Sequence, residues 1–306
     1  MSDDMPSARD LLSEISGHIE KHARPGMQTR INGLLLSKVT GSAGPDYSLT
    51  EPLLVVMTQG GKRLLLGDEV FEYRAGQILI VTASLPVTGQ YLDTTRPSMG
   101  VGLVLRPAAL AELALRAPAL PRTTSAAPAM ATGEADAELL DAVARLVRLL
   151  DRPADAPVLA PLYEQEILWR LLVGPHGATV RQIALADSHL THLNRAISWM
   201  RDNYAEPMRI EGLAQMAGMS TSAFHRHFRS VTAMSPLQFQ KQIRLQSARS
   251  LLVAESDDIA GVGHRVGYDS PSQFTREYRR LFGAPPSLDA ARLRGLGAAP
   301  EPALLP

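Results

Sequence analysis

No cysteine occurs in the 306 residues, which excludes disulfides, thiolate nucleophiles and Cys-ligated zinc or iron–sulfur sites. Charge of either sign is not in excess: 31 basic and 31 acidic side chains cancel, excluding a uniformly basic coat and an acidic solvating chain. Long apolar runs are missing too. Leu53 to Met57 and Ile78 to Val81 are far too short to span a bilayer, and the opening Met-Ser-Asp-Asp-Met-Pro carries acid where a signal peptide needs base. A cytoplasmic protein with no membrane partner is expected. Residues 26 to 173 contain no histidine, which removes an imidazole ligand set from that stretch. No Gly-rich phosphate loop, Gly-x-Ser-x-Gly elbow or His-Glu-x-x-His helix occurs. Asp68-Glu69 falls at a predicted hairpin tip, where solvation accounts for the charge, and His225 and His227, about 200° apart on a helix, face different directions. The reading is therefore of no catalytic residues, no metal and no cofactor.

What is present is 45% hydrophobic residues, enough for sizeable cores in about two domains. From Ser188 onward there are 14 Lys and Arg against 10 Asp and Glu, a net +4, while residues 1–187 carry 17 against 21, a net −4. A mildly basic tail on an acidic body points toward nucleic acid.

Leu11, Leu12, Ile15 and Ile19 share a helical face closed by Pro25-Gly26. From about Leu34 to Leu105 short runs of β-favouring residues follow: Leu34 to Val39, Leu53 to Thr58, Lys62 to Leu66, Glu69 to Arg74, Gln77 to Thr82, Gln90 to Thr94 and Val101 to Leu105. Gly67-Asp68, Ala75-Gly76 and Leu85-Pro86 break them, so six or seven strands in an antiparallel sandwich or small barrel are predicted. Ala108 to Arg116 reads as helix and Pro118 to Gly133 as a loop. Leu139, Leu140, Val143, Leu146, Val147 and Leu150 make a helical stripe, and a second helix starting after Pro161 carries Leu162, Ile167, Leu168, Leu171 and Leu172. Those faces either pack on the barrel alone or also form a homodimer seam.

The C-terminal part is helical to about Leu296, with Gly174-Pro-His-Gly177 marking the boundary before it and Asn194 to Tyr204 its first helix. Leu213, Ala214 and Ala217 form the buried face of a short helix, Gly218 gives a tight turn, Ser220 sits at an N-cap, and Phe224 and Phe228, four apart, anchor a second helix. This is a helix-turn-helix pattern. It leaves Thr221, Ser222, His225, Arg226 and Arg229 outward, all able to bond a base edge or phosphate. The pattern repeats: Ile259, Ala260, Val262 and Gly263, a turn at Gly267-Tyr268, the cap Ser270, the anchors Phe274 and Tyr278, and an open face of Ser272, Gln273, Thr275, Arg276 and Arg279. Ser235 to Leu252 joins the units as one long helix with Leu237, Ile243, Leu245, Ala248 and Leu252 at apolar positions. At 1.5 Å per residue it spans roughly 25 Å, so with its flanking turns it holds two recognition helices about one DNA turn apart.

Val266-Gly-Tyr-Asp-Ser-Pro-Ser-Gln-Phe-Thr-Arg-Glu-Tyr-Arg-Arg-Leu-Phe-Gly-Ala-Pro-Pro286 resembles the second-unit signature of the AraC/XylS family of bacterial transcription regulators. Ser287-Leu-Asp289 is a departure from that pattern, placed at the rim. Tyr47 through Leu113 is similar to the AraC-type N-terminal domain, in Pro52-Leu53, Gln59-Gly-Gly-Lys-Arg63, Leu66-Gly-Asp68, Phe71-Glu-Tyr73, Gly76 and Ser84-Leu-Pro-Val87. The resemblance implies an α+β protein: a cupin-like antiparallel β-barrel with flanking helices, then an all-α domain with two helix-turn-helix units. Residues 1–187 would sense an effector and dimerise, with the barrel at about 28–106 and helices at about 135–173. Residues 188–306 would bind DNA through units at about 210–230 and 258–282.

The expected function is a sequence-specific transcription activator controlled by a small molecule in the barrel, with promoter DNA, a second copy of the chain and RNA polymerase as partners. Ser222, His225, Arg226, Arg229, Lys241, Ser272, Gln273, Thr275, Arg276 and Arg279 are assigned to DNA, with Arg226 and Arg276 on bases and Lys241 and Arg279 on phosphate. Tyr47, Gln59, Lys62, Arg63 and Tyr73 are assigned to the effector. A metal-free cupin-like enzyme fused to a DNA-binding module is the alternative, and a ligand-independent architectural binder a third.

Overall fold

Ser7 starts the first helix by accepting a hydrogen bond from the Asp10 amide at 3.2 Å. That helix, α1, runs Ala8–His22 and buries Leu11, Ile15 and Ile19, the i, i+4, i+8 stripe that the spacing predicts. In this computed structural model, which describes residues 6–41, 44–93, 95–116, 128–184, 189–254 and 258–295, nine strands are seen. They are β1 Leu34–Val39, β2 Asp46–Leu49, β3 Leu53–Gln59, β4 Gly61–Leu66, β5 Glu69–Arg74, β6 Gln77–Val81, β7 Pro86–Tyr91, β8 Ser98–Val104 and β9 Met130–Glu134. Every pairing is antiparallel, in a five-stranded sheet ordered β1-β8-β3-β6-β9 and a four-stranded sheet ordered β2-β7-β4-β5.

The larger sheet is covered on both faces, which is why β3 and β6 read as nearly continuous apolar runs. Leu34, Leu36, Leu54, Val56, Ile78 and Ile80 face the helical layer, in one core with α1. Their neighbours Leu35, Leu53, Val55, Met57, Leu79 and Val81 face the smaller sheet and meet Leu64, Leu66, Tyr73 and Val87. The helical layer comprises α2 Pro107–Arg116, α3 Ala137–Arg148, a 3-10 turn Leu149–Asp151, α4 Ala156–Val173 and α5 Gly177–Ala184. Asp136 caps α3 through the Leu139 amide at 2.7 Å. The apolar stripe from Leu139 to Leu150 and the Ile167-Leu168-Leu171-Leu172 set are consumed inside this core, together with Val180 and Ile183 of α5.

Four sequence expectations are corrected. The segment read as a loop up to Gly133 contains β9, a short edge strand paired to β6, while its residues 117–127 lie outside the described set. Strand β2 was not anticipated, because Asp-Tyr-Ser-Leu has only one strongly apolar member and is ordered by pairing with β7. Helix α4 begins at Ala156 and passes through Pro161; the buried Ala160, Ile167 and Leu168 on the same helix offset the one backbone hydrogen bond that an interior proline removes. Leu162, assigned to the inward stripe, is instead 55% exposed. The expected border at 187/188 and the helix end near Leu296 fall outside the described residues.

The C-terminal helices are α6 His189–Asp202, α7 Ile210–Met216, α8 Thr221–Thr232, α9 Pro236–Ala254, α10 Ile259–Arg265, α11 Pro271–Phe282 and α12 Pro286–Gly295. Among the described residues no helix is long and apolar enough to cross a membrane.

Candidate nucleic-acid interface and sensor interior

Gly218 turns α7 into α8 with φ +65°, and Ser220 caps α8 by accepting from the Ala223 amide at 3.3 Å. Phe224 and Phe228 are fully buried, 5.4 Å apart between ring centroids, and Phe228 meets Phe239 of α9 edge-on at 5.3 Å. In the second unit Ser270 caps α11 through the Gln273 amide, Pro271 occupies the first turn, and Phe274 and Tyr278 are fully buried with rings 5.6 Å apart. The four aromatic anchors are thus core residues. Gly267 serves the second turn twice over: its φ is +91°, and a Cβ there would come within 2.7 Å of the Arg244 guanidinium. That guanidinium, on α9, donates to the carbonyls of Tyr204, Ala205 and Gly267 at 2.7, 3.0 and 2.7 Å, fixing the second turn to the end of α6.

The anchors leave matching faces open. Thr221, Ser222, His225, Arg226 and Arg229 are exposed on α8, and Ser272, Gln273, Arg276 and Arg279 on α11, with Thr275 half-buried. Arg226 and Arg276 each stand two residues after the inward Phe. Lys241 is half-exposed, but its ammonium lies 3.0 Å from Glu277. Glu277 also accepts from the Tyr268 hydroxyl at 2.9 Å and from the Gln273 amide at 3.4 Å. Burial works against the Glu277 charge, yet Lys241 and Tyr268 outweigh it and hold this carboxyl below the usual range. Lys241 is thus ion-paired with Glu277 from a half-exposed position.

Within the barrel, alternation along β4 points Lys62, Leu64 and Leu66 inward and Arg63 and Leu65 outward. Lys62 is 1% exposed, with Nζ 3.4 Å from the Tyr91 hydroxyl, 3.9 Å from the Asp46 carboxylate and 4.7 Å over the Tyr91 ring. Its stem runs over Gly89, where a Cβ would approach Cε to 2.8 Å. Tyr73 is its cross-strand partner on β5, and the Tyr73 hydroxyl is buried with no hydrogen-bond partner among the described residues. Burial, helped by the neighbouring Tyr91, pushes that phenol above its ordinary range, so it stays a donor at neutral pH.

The smaller sheet also carries the contact with the helical part. Tyr47 donates to the Leu281 carbonyl at 3.2 Å, its ring meets Phe282 at 4.7 Å, and Arg249 of α9 lies 4.7 Å over it. The β4–β5 turn at Gly67 abuts the end of α8, where a Cβ would come within 2.7 Å of the Ala233 carbonyl oxygen. Asn194 and Arg201 of α6 donate to the Thr82 carbonyl and the Ser84 hydroxyl, each at 3.3 Å.

Two families match the chain: the AraC-type transcriptional regulator N-terminus over residues 30–179 and a helix-turn-helix domain over 213–291. The chain belongs to the AraC/XylS family of transcriptional regulators. A curated relative, the HTH-type transcriptional activator RhaS of Salmonella typhimurium, is 26% identical over 147 residues, 47% of this chain and 51% of the relative. The match therefore spans about half the length of the curated relatives. Two structures of ToxT from Vibrio cholerae share the fold. An apo variant, 9% identical, covers 86% of this chain and 99% of its own with a TM-score of 0.55. The unsaturated fatty acid bound form, 11% identical, covers 90% and 100% with a TM-score of 0.51.

Of the effector residues assigned to this AraC/XylS regulator from sequence, Lys62 and Tyr73 meet inside the barrel. Tyr47 and Arg63 do not: Tyr47 packs on the helical part, and Arg63 bonds Glu72 at 2.9 Å on the outer face. Gln59, the last residue of the central strand β3, donates to the Pro97 carbonyl just before β8 at 2.8 Å. Sequence reasoning left Asp46 out, and it took Asp289 for a rim residue. Asp289 is 1% exposed and accepts from Arg249 at 2.7 Å and from the Tyr278 hydroxyl at 3.0 Å. In the long helix α9, Leu237 is exposed rather than apolar-faced inward, as is Ala260 in α10.

Proposed function

We propose that this chain is a sequence-specific DNA-binding transcription activator, acting as a homodimer with RNA polymerase at promoters in the cytoplasm, and that a small molecule in the barrel controls it. The observation that carries the reading is the pair of helix-turn-helix units with equivalent outward arginines, held at the two ends of the rigid α9. A bidentate Arg to guanine is worth roughly 1 to 3 kcal/mol of discrimination. With an operator obtained by selecting bound genomic fragments, Arg226→Ala and Arg276→Ala are expected to lose operator preference more than affinity for random DNA. Equal losses on both would reassign the two arginines to phosphate.

The ligand is one with a polar head, taken by the Lys62 ammonium and the unpartnered Tyr73 hydroxyl, and an apolar body against Leu64, Val55 and Leu79. The fatty acid bound by the ToxT relative is a ligand of this general build. Thermal-shift screening with small carboxylic acids, sugars and amides should find a compound that raises the wild-type Tm, with the rise lost in Lys62→Met. An undiminished rise in that variant would move the ligand out of the barrel. The dimer surface is the stripe Val158, Leu162 and Val173, exposed along one side of α4.

A further inference from the structure

The last turns of α1 bring His18 and His22, four apart and therefore on one helical face, against Asp151 in the 3-10 turn after α3. His22 Nε2 lies 2.7 Å from Asp151 Oδ1, His18 Nδ1 lies 3.4 Å from Oδ2, and the three ligating atoms all fall within 4.8 Å of one another. The imidazole rings stack with an interplanar angle of 18°. Both histidines are partly buried, at 16% and 22% side-chain exposure, while Asp151 at 33% keeps the cluster open to solvent. We propose that His18, His22 and Asp151 form a binding site for a divalent transition cation of the zinc class, which staples α1 to the end of α3.

The donor set selects the ion. Two imidazoles and one carboxylate suit zinc, cobalt or nickel, whereas calcium and magnesium want six or more oxygens or several retained waters. A tetrahedral zinc with bonds of about 2.1 Å needs ligand atoms roughly 3.4 Å apart, and the spacings found here bracket that value, so small side-chain rotations close the site. Three protein ligands leave a fourth position for water. His18 is also backed at its other nitrogen: Nε2 faces Glu14 at 3.9 Å, and Glu14 is itself held by two bonds from Arg148 at 2.5 and 2.8 Å. A carboxylate on the outer side of a ligating imidazole helps to set the orientation of the ring. Lys21 is the competitor. Its ammonium lies 2.6 Å from Asp151 Oδ1, on a side chain 62% exposed and free to swing into water. Because α1 carries Leu11, Ile15 and Ile19 into the core under the larger sheet, a cation here couples to the stability of the sensing half.

The test uses the full chain freed of metal by a chelator. Titration with Co2+ should give one site per chain with visible d–d absorption, displaced by Zn2+, and Zn2+ should raise the Tm. His18→Gln/His22→Gln and Asp151→Asn should each weaken Zn2+ by at least about tenfold and abolish the Tm rise, with circular dichroism confirming the fold. Lys21→Ala should tighten Zn2+ binding, an effect that an ion pair serving the fold alone would not give. Absence of the cobalt band, or the same Zn2+ affinity in the double variant, would overturn the assignment and in the second case move the ion to another histidine such as His225.

Discussion

Leu146→Asp is expected to leave the N-terminal half unfolded, whereas Leu162→Asp, with the same charge on the neighbouring helix, is expected to melt close to wild type. Leu146 is 1% exposed in the core shared by α1, α3, α4 and the larger sheet. Removing a buried leucine side chain costs about 2 to 5 kcal/mol, and the carboxylate adds a desolvation penalty of at least similar size. Together these approach the roughly 5 to 15 kcal/mol that holds a whole domain. Leu162 is more than half exposed in the single chain, where surface substitutions stay within about 0.5 kcal/mol, so any further fall in Tm reports the lost dimer and not the fold of the chain. Thermal melts by circular dichroism separate the two variants, and light scattering reads the second consequence: Leu162→Asp should halve the mass if its stripe joins two copies. A folded Leu146→Asp would contradict the burial of the stripe, and an unchanged dimer in Leu162→Asp would acquit α4.

Asp289→Ala should destabilise the C-terminal helices by about 3 to 5 kcal/mol, the usual cost of removing one partner from a buried ion pair. The carboxylate is 1% exposed and joins three elements, accepting from Arg249 on α9 and from Tyr278 on α11 while belonging to α12. Its loss strands a guanidinium of 13% side-chain exposure and a fully buried phenol. Asp289→Asn keeps an acceptor for Tyr278 and should cost less. Urea denaturation of the three proteins orders them. A loss under about 1 kcal/mol in Asp289→Ala would mean that water reaches Arg249 and Tyr278 freely.

The two helix-turn-helix units were legible because each rests on local chemistry: a serine cap, a glycine turn and aromatics four apart, all within some twenty residues. Most strand edges were legible for the same reason, since Gly67-Asp68 and Ala75-Gly76 announce their turns. β2 and β9 were not, because an edge strand of four or five residues without alternation owes its shape to the strand beside it. Register was the other obstacle. Alternation separates Lys62 from Arg63, but which set faces inward depends on pairings such as Lys62 with Tyr73 and Tyr91. Contacts between distant segments leave no periodic trace at all. Tyr47 with Leu281, and His22 with Asp151, join residues whose separation in the chain carries no signal. Asp289 looked like a rim residue for a related reason: one acid after two prolines says nothing of the arginine forty residues earlier that buries it.

The side chains filling the barrel, Leu64, Leu66 and Tyr73 among them, belong to the same continuous apolar cluster as Phe224, Phe228 and Phe239. The second unit has a separate cluster around Phe274, Tyr278, Val262 and Leu252. The two readers are therefore unequal in cooperativity. The first shares its melting with the barrel, so anything that tightens the barrel also raises the free energy of opening α8. The second meets that block through α9, through the Tyr47 ring on Phe282 and through polar contacts such as Tyr47 with the Leu281 carbonyl, and its separate core gives it an opening free energy of its own. If the proposed function holds, occupancy of the barrel is expected to act first on the unit that shares its core, that of Phe224 and Phe228.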